Sequence, residues 1–259
     1  MGIALKYNFD PLRFLGMKSS LLLTLLCFFA SCDKSDPPST GIINLSFTSH
    51  FGQEQFSALK TYTYLGNQSI KLSKFDFYIT GIQFISNSGT IDIDQHALID
   101  LTSSLAGDQI LTLRNIKSGE YTSIKLAIGV IPSLNKKQPK DFNSSDVLSS
   151  TSHYWEAWNS FIFSKIEGVL DTAGTKTYDL GFAVHMGTDQ CLQTLTFPKS
   201  FRVSENEMTI HLDVDIKSIF MASGTFFDFT KSPLNHNPTN IETLTSFSAR
   251  MANSIQLKN

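Results

Sequence analysis

Alternation with a period of two residues runs through most of this chain and restricts what it can fold into. Ile43, Leu45 and Phe47 interleave with Asn44, Ser46 and Thr48, and Phe75, Phe77 and Ile79 interleave with Asp76, Tyr78 and Thr80. Successive side chains of an extended backbone point to opposite faces, so this spacing predicts half-buried strands with one apolar and one wet face. The same reading covers Ile82 to Ser86, Ile91 to Asp94, Gln109 to Leu113, Tyr121 to Val130, Phe161 to Gly168, Thr177 to Val184, Leu192 to Phe197 and Met208 to Ile216. Turn signals such as Asn87-Ser88-Gly89, Lys117-Ser118-Gly119 and Ala173-Gly174 separate them. Many short strands punctuated in this way predict an all-β fold, an Ig-like antiparallel β-sandwich.

Two regions depart from the alternation. A polar stretch with two prolines and a serine-rich end predicts a long loop around 132–152. Near the C-terminus, Ile241, Leu244, Phe247, Met251 and Ile255 recur at three- and four-residue intervals, which predicts a short helix over 241–257 with Asn240 at its N-cap. No internal repeat or domain-length linker interrupts 41–259, which reads as one domain.

The N-terminal part carries an address. A basic start at Lys18 leads into an apolar run too short to span a bilayer, which reads as a secretory signal peptide over 1–31. The displaced basic residue points to Met17 as the true start. The junction Phe29-Ala30-Ser31-Cys32 resembles a bacterial lipobox, so Cys32 is the candidate lipidated residue and 32–40 a polar tether. Each acyl chain contributes about 0.8 kcal/mol per buried methylene, so several chains hold firmly to a membrane. Of the three cysteines, Cys27 falls in the signal and Cys32 carries lipid, leaving Cys191 without an intrachain disulfide partner. A formal net charge of −2 with no basic block argues against nucleic acid as a partner.

Both tryptophans of the chain fall within His153-Tyr154-Trp155-Glu156-Ala157-Trp158-Asn159-Ser160, next to a histidine and ahead of an aromatic strand. This segment is one of six that occur in a fixed order. The others are Ser49-His50-Phe51-Gly52, the strand Phe77-Tyr78-Ile79-Thr80-Gly81-Ile82-Gln83-Phe84, the run Gly119-Glu120-Tyr121 to Val130, Phe182-Ala183-Val184-His185-Met186-Gly187, and Leu212-Asp213-Val214-Asp215-Ile216-Lys217-Ser218-Ile219-Phe220. Together they resemble the MbnP-like family of periplasmic and lipid-anchored copper-binding proteins. The chain departs from the family pattern in two places: a glycine expected near Ser160-Phe161 is missing, and the histidines expected near the C-terminal helix are absent around Ser246-Phe247-Ser248.

The resemblance implies copper as the cofactor and His50 and His185 as ligands; by residue type, Met186 beside His185 is a candidate soft sulfur ligand. It also implies that Trp155 or Trp158 could be oxidised by a partner di-haem peroxidase and join two histidines at the metal, with Trp158 closest to the family pattern. These tryptophans act chemically only if His50 and His185 converge on them; otherwise they pack as core. From residue type alone, His50, His96, His153, His185, His211 and His236 are all candidates. His153 reads as a loop residue and Cys191 as a buried one. His211, Asp213 and Asp215 share one strand face, which could hold a cation but reads first as an ordinary wet strand face, with Asp213 and Asp215 as loop caps or tethers. No Gly-x-Ser-x-Gly, His-Glu-x-x-His or phosphate-binding glycine loop occurs, so no enzyme is expected. The function expected is copper capture or delivery in the cell envelope, anchored to the outer membrane on its periplasmic or surface side. The rival is a surface lipoprotein that binds a protein or glycan through its aromatic loop.

Overall fold

A computed structural model describes residues 39–103 and 108–258. The expected signal segment 1–31, Met17, Cys32 and the expected tether up to residue 38 lie outside the described residues. The principal strands are Thr40–Phe51 (β1), Ser69–Ser86 (β2), Gly89–Ile93 (β3), Ala97–Asp100 (β4), Gln109–Lys117 (β5), Gly119–Ile128 (β6), Ser160–Asp171 (β7), Leu180–Gly187 (β8), Gln193–Val203 (β9), Met208–Asp215 (β10), Leu234–Asn235 (β11) and Ile255–Leu257 (β12). The helices are Pro132–Asn135 (α1), Ile216–Ile219 (α2) and Ile241–Ser254 (α3).

Two sheets face each other. One is ordered β12, β10, β1, β5, with β1 at its centre. The other is ordered β9, β6, β2, β7, β8, β11, with β3 and β4 folded back onto β2. Across the gap the Phe47 and Phe77 rings meet edge to face at 5.9 Å. Both are fully buried, in a core that also holds Phe75, Phe84, Phe161, Phe163, Phe220, Phe229 and Phe247. Each such side chain contributes about 1.5–3 kcal/mol by leaving water. Most pairs are antiparallel, as the alternation predicts, but β1 with β10 and β8 with β11 are parallel. Their partners lie far apart in sequence, so no tight turn dictates their direction.

The predicted strands over 75–80 and 82–86 are one. β2 runs for 18 residues through Gly81, whose φ of 57° only glycine adopts freely. A bulge forms there, as the register with β6 slips between Thr80 and Gln83. The first half of β2 therefore pairs with β7 and the second with β6.

The expected wet face of β2 is also a correction. Asp76, Tyr78 and Thr80 are fully buried, because the connection over 132–152 folds across them as a third layer. It is built from α1 and short 3-10 turns, and its Leu148 is completely enclosed. Tyr78 donates its hydroxyl to the Val147 carbonyl at 3.2 Å, and His153 Nε2 meets Asp76 Oδ2 at 2.9 Å. The loop thus fixes the segment that follows it, which carries the tryptophans.

α3 buries Leu244, Phe247 and Met251 as the spacing predicts. It ends at Ser254, and Ile255 begins β12 against Val214. Asn240 stands ahead of the helix without capping it. Its amide instead donates to the Leu234 carbonyl at 3.2 Å and to Asn235 Oδ1 at 3.3 Å.

Candidate functional site

The tryptophan segment folds into a tight hairpin against the start of β7. Tyr154 and Trp155 pair with Phe161 and Ser160, and Glu156–Trp158 forms a single 3-10 turn between them. Side chains three apart in a 3-10 turn eclipse one another, so Trp155 and Trp158 lie face to face with centroids 4.6 Å apart and planes 12° apart. Asn159 closes the hairpin in the left-handed region at φ 50°, which asparagine tolerates well, and its side chain accepts from the Tyr154 hydroxyl at 2.8 Å. Trp158 packs against the core. Its benzo ring covers Gly187, where a Cβ would fall 3.0 Å from Cζ3 and 2.9 Å from the Phe161 carbonyl.

Two imidazoles meet this stack. His185, on β8, presents its ring edge-on to Trp155 at 6.1 Å, and His236 lies parallel to Trp155 at 5.6 Å and 11°. The two imidazole centroids are 6.0 Å apart. Strand register explains the meeting, since β8 and β11 run parallel with Ala183 opposite Leu234 and Val184 opposite Asn235, so the next position on each brings His185 beside His236. Asn235 is completely buried and locks that turn, donating to the Ser232 carbonyl at 2.7 Å and accepting from the Ser232 hydroxyl at 2.8 Å. His185 Nε2 lies 2.7 Å from Glu167 Oε1 on β7. Burial pushes the His185 pKa below its ordinary value, against the opposing pull of the Glu167 carboxylate.

Comparison with known proteins bears on what such a site belongs to. The MbnP family model matches residues 40–242. The chain belongs to the MbnP family. A solved structure, MbnP from Methylosinus trichosporium, is similar at 12% identity over 76% of this chain and 81% of that one, with a TM-score of 0.49. No curated protein matches the chain.

The MbnP segments singled out in the sequence do not all come together. His185 reaches the tryptophans and His50 does not. His50 lies on β1 in the other sheet, opposite Asp215 in the parallel register. Its Nε2 is 2.8 Å from Asp213 Oδ2, and its Nδ1 faces the Gly52 carbonyl. Asp213 also accepts from Thr48, while Asp215 accepts from the Lys217 and Gly52 amides, so this acidic pair works as a tether. Met186 follows His185 but points to the opposite face, into the core, as alternation along β8 requires. Cys191 is buried, with its thiol pKa pushed up by desolvation. His153 and His96 are tied to Asp76 and Asp146, and His211 is exposed on β10. The residue that sequence reasoning left unplaced is His236. Its neighbourhood has no strand periodicity, and only a two-residue non-local ladder brings it in. At the MbnP departure Ser160, the hydroxyl donates to Asn135 Oδ1 at 3.1 Å and accepts from Thr188 N at 3.0 Å, holding the hairpin to α1 and to the end of β8.

Among the described residues no group of three or more His, Cys, Asp or Glu side chains is arranged to hold a metal ion. The donors available beside the indole stack are two imidazoles. Two metal–nitrogen bonds of about 2.0 Å each, with the ring radii added, fit a centroid separation of 6.0 Å. The set suits an ion content with few ligands and tolerant of an aromatic wall, and copper takes imidazole readily. Because the stack rests on Gly187, Gly187→Ala should push Trp158 off its seat at a cost of about 1–3 kcal/mol. Near-UV circular dichroism of the coupled indoles should weaken in that variant; an unchanged spectrum would show that the seat is not needed.

Proposed function

We propose that this MbnP-family protein is a lipid-anchored, extracytoplasmic copper-binding protein that captures or delivers the metal, with His185 and His236 as its donors. The observation that carries the reading is the convergence of two imidazoles, 6.0 Å apart, on Trp155 of the tryptophan pair, one edge-on and one stacked. When bound, copper would supply a soft cationic centre, and the chain's own residues do the rest. β8 and β11 set the imidazole spacing by register, Asn235 holds the His236 turn, and Trp155 covers the pair with an electron-rich indole face that attracts cations. Trp155 touches both imidazoles and Trp158 backs it. If a partner di-haem peroxidase oxidises a tryptophan here, Trp155 is the expected target.

Anaerobic titration with Cu(I) against a chromophoric competitor tests this reading. One equivalent is expected to bind, with quenching of tryptophan fluorescence. A folded protein that takes up no Cu(I) at saturating metal would refute it. Because burial holds His185 below the ordinary imidazole value of 6.5, proton competition at His185 is expected to set in only below that pH. The anchor is tested separately: fatty-acid labelling in a Gram-negative host is expected for the wild type and lost in Cys32→Ser.

A further inference from the structure

Among the described residues, Glu167 is the one carboxylate hydrogen-bonded to the imidazole pair. It stands on β7, where Lys165 is in register with His185 and Glu167 with Ala183. Its Oε1 lies 2.7 Å from His185 Nε2. An ionised carboxylate can only accept a hydrogen bond, so Nε2 must carry the proton. A neutral ring protonated there has its lone pair on Nδ1. Among the described residues, the hydrogen bond to His185 comes through Nε2 alone. Lys165, on the same strand face, donates instead to the Ser152 carbonyl, and Lys74, opposite Glu167 on β2, pairs with Asp76 and Asp100, which leaves Glu167 to the imidazole.

Resting on the copper reading above, we propose that Glu167 is a positioning residue that fixes His185 as its Nε2–H tautomer and so presents Nδ1 as the donor toward His236. The hydrogen bond also fixes the plane of the ring, which a metal needs as much as the tautomer. A purely structural role fits the geometry poorly. Glu167 is 39% exposed at its side chain, and a partly solvated pair of this kind adds little to stability. What the contact can set is which nitrogen is free.

The test uses the full chain in two measurements on wild type, Glu167→Ala and Glu167→Gln. Nitrogen-15 chemical shifts of the His185 ring in metal-free protein report the tautomer. Cu(I) competition reports affinity, with thermal unfolding as the check on folding. The wild type is expected to show Nε2–H. Glu167→Ala should lower the Nε2–H fraction to that of a free imidazole and bind Cu(I) about 10- to 100-fold more weakly, the range for loss of an orienting partner. Glu167→Gln keeps an acceptor oxygen and should fall between. A Glu167→Ala variant that keeps the wild-type Nε2–H fraction would overturn the proposal, as would one whose tautomer changes without loss of affinity. If the wild type itself bound no Cu(I), the copper reading would fail, while the metal-free spectra would still decide whether Glu167 sets the tautomer.

Discussion

Replacing His236 with alanine is expected to weaken Cu(I) binding by more than about 100-fold, beyond the loss typical of an orienting partner, because it removes one of the two imidazoles proposed as donors. His185→Ala should do the same. His50→Ala should leave the affinity unchanged, since its ring is engaged by Asp213 and the Gly52 carbonyl on the other sheet. This contrast separates the geometry seen here from the ligand pair His50 and His185 that the family resemblance implies. His236 is half-buried and its side chain is outside the core, so His236→Ala should keep the wild-type fold. Competition titrations of the three variants in parallel would check the prediction, and a His50→Ala loss as large as that of His236→Ala would contradict it.

The second large effect concerns the layer beneath the site. Asp76 is fully enclosed and accepts from three groups: His153 Nε2 at 2.9 Å, Lys74 Nζ at 2.9 Å and the Lys165 amide at 3.3 Å. Asp76→Ala takes this acceptor from all three; Lys74 keeps Asp100 at 2.7 Å, while His153 Nε2 loses its carboxylate partner. Removing one member of a buried charged network costs about 3–5 kcal/mol, a large part of the stability of a typical domain. It should also free His153, which ends the connecting loop and begins the tryptophan hairpin. We expect a lowered urea midpoint together with a red-shifted tryptophan emission. A midpoint equal to that of the wild type would mean that the loop is held by Tyr78 and Leu148 alone.

The strands were legible because alternation is local: the run Ile43 to Phe47 announces both its conformation and its buried face. Failure began where burial depended on something distant. Tyr78 and Asp76 sit at polar positions of an alternating strand, and nothing in their neighbourhood says that residues 132–152 will cover them. The parallel pairings of β1 with β10 and β8 with β11 were hidden for the same reason, since each joins segments far apart in the chain.

The candidate site divides along the same line. Trp155 and Trp158 were visible as a cluster, and His185 as a strand residue in a family segment. His236 was one of six histidines until a two-residue ladder placed it. Trp155, not Trp158, proved to be the indole in touch with both imidazoles, because a 3-10 turn decides which ring lies outermost. Met186 was excluded by its parity with His185 along one strand, a point already implicit in the alternation.

The most direct test of the account is anomalous diffraction at the copper edge from crystals of the full chain loaded with Cu(I) under anaerobic conditions. The account predicts one strong peak between His185 Nδ1 and the His236 ring, beside Trp155. A peak at His50 with none at this pair, or copper held elsewhere while the pair stays free, would contradict it.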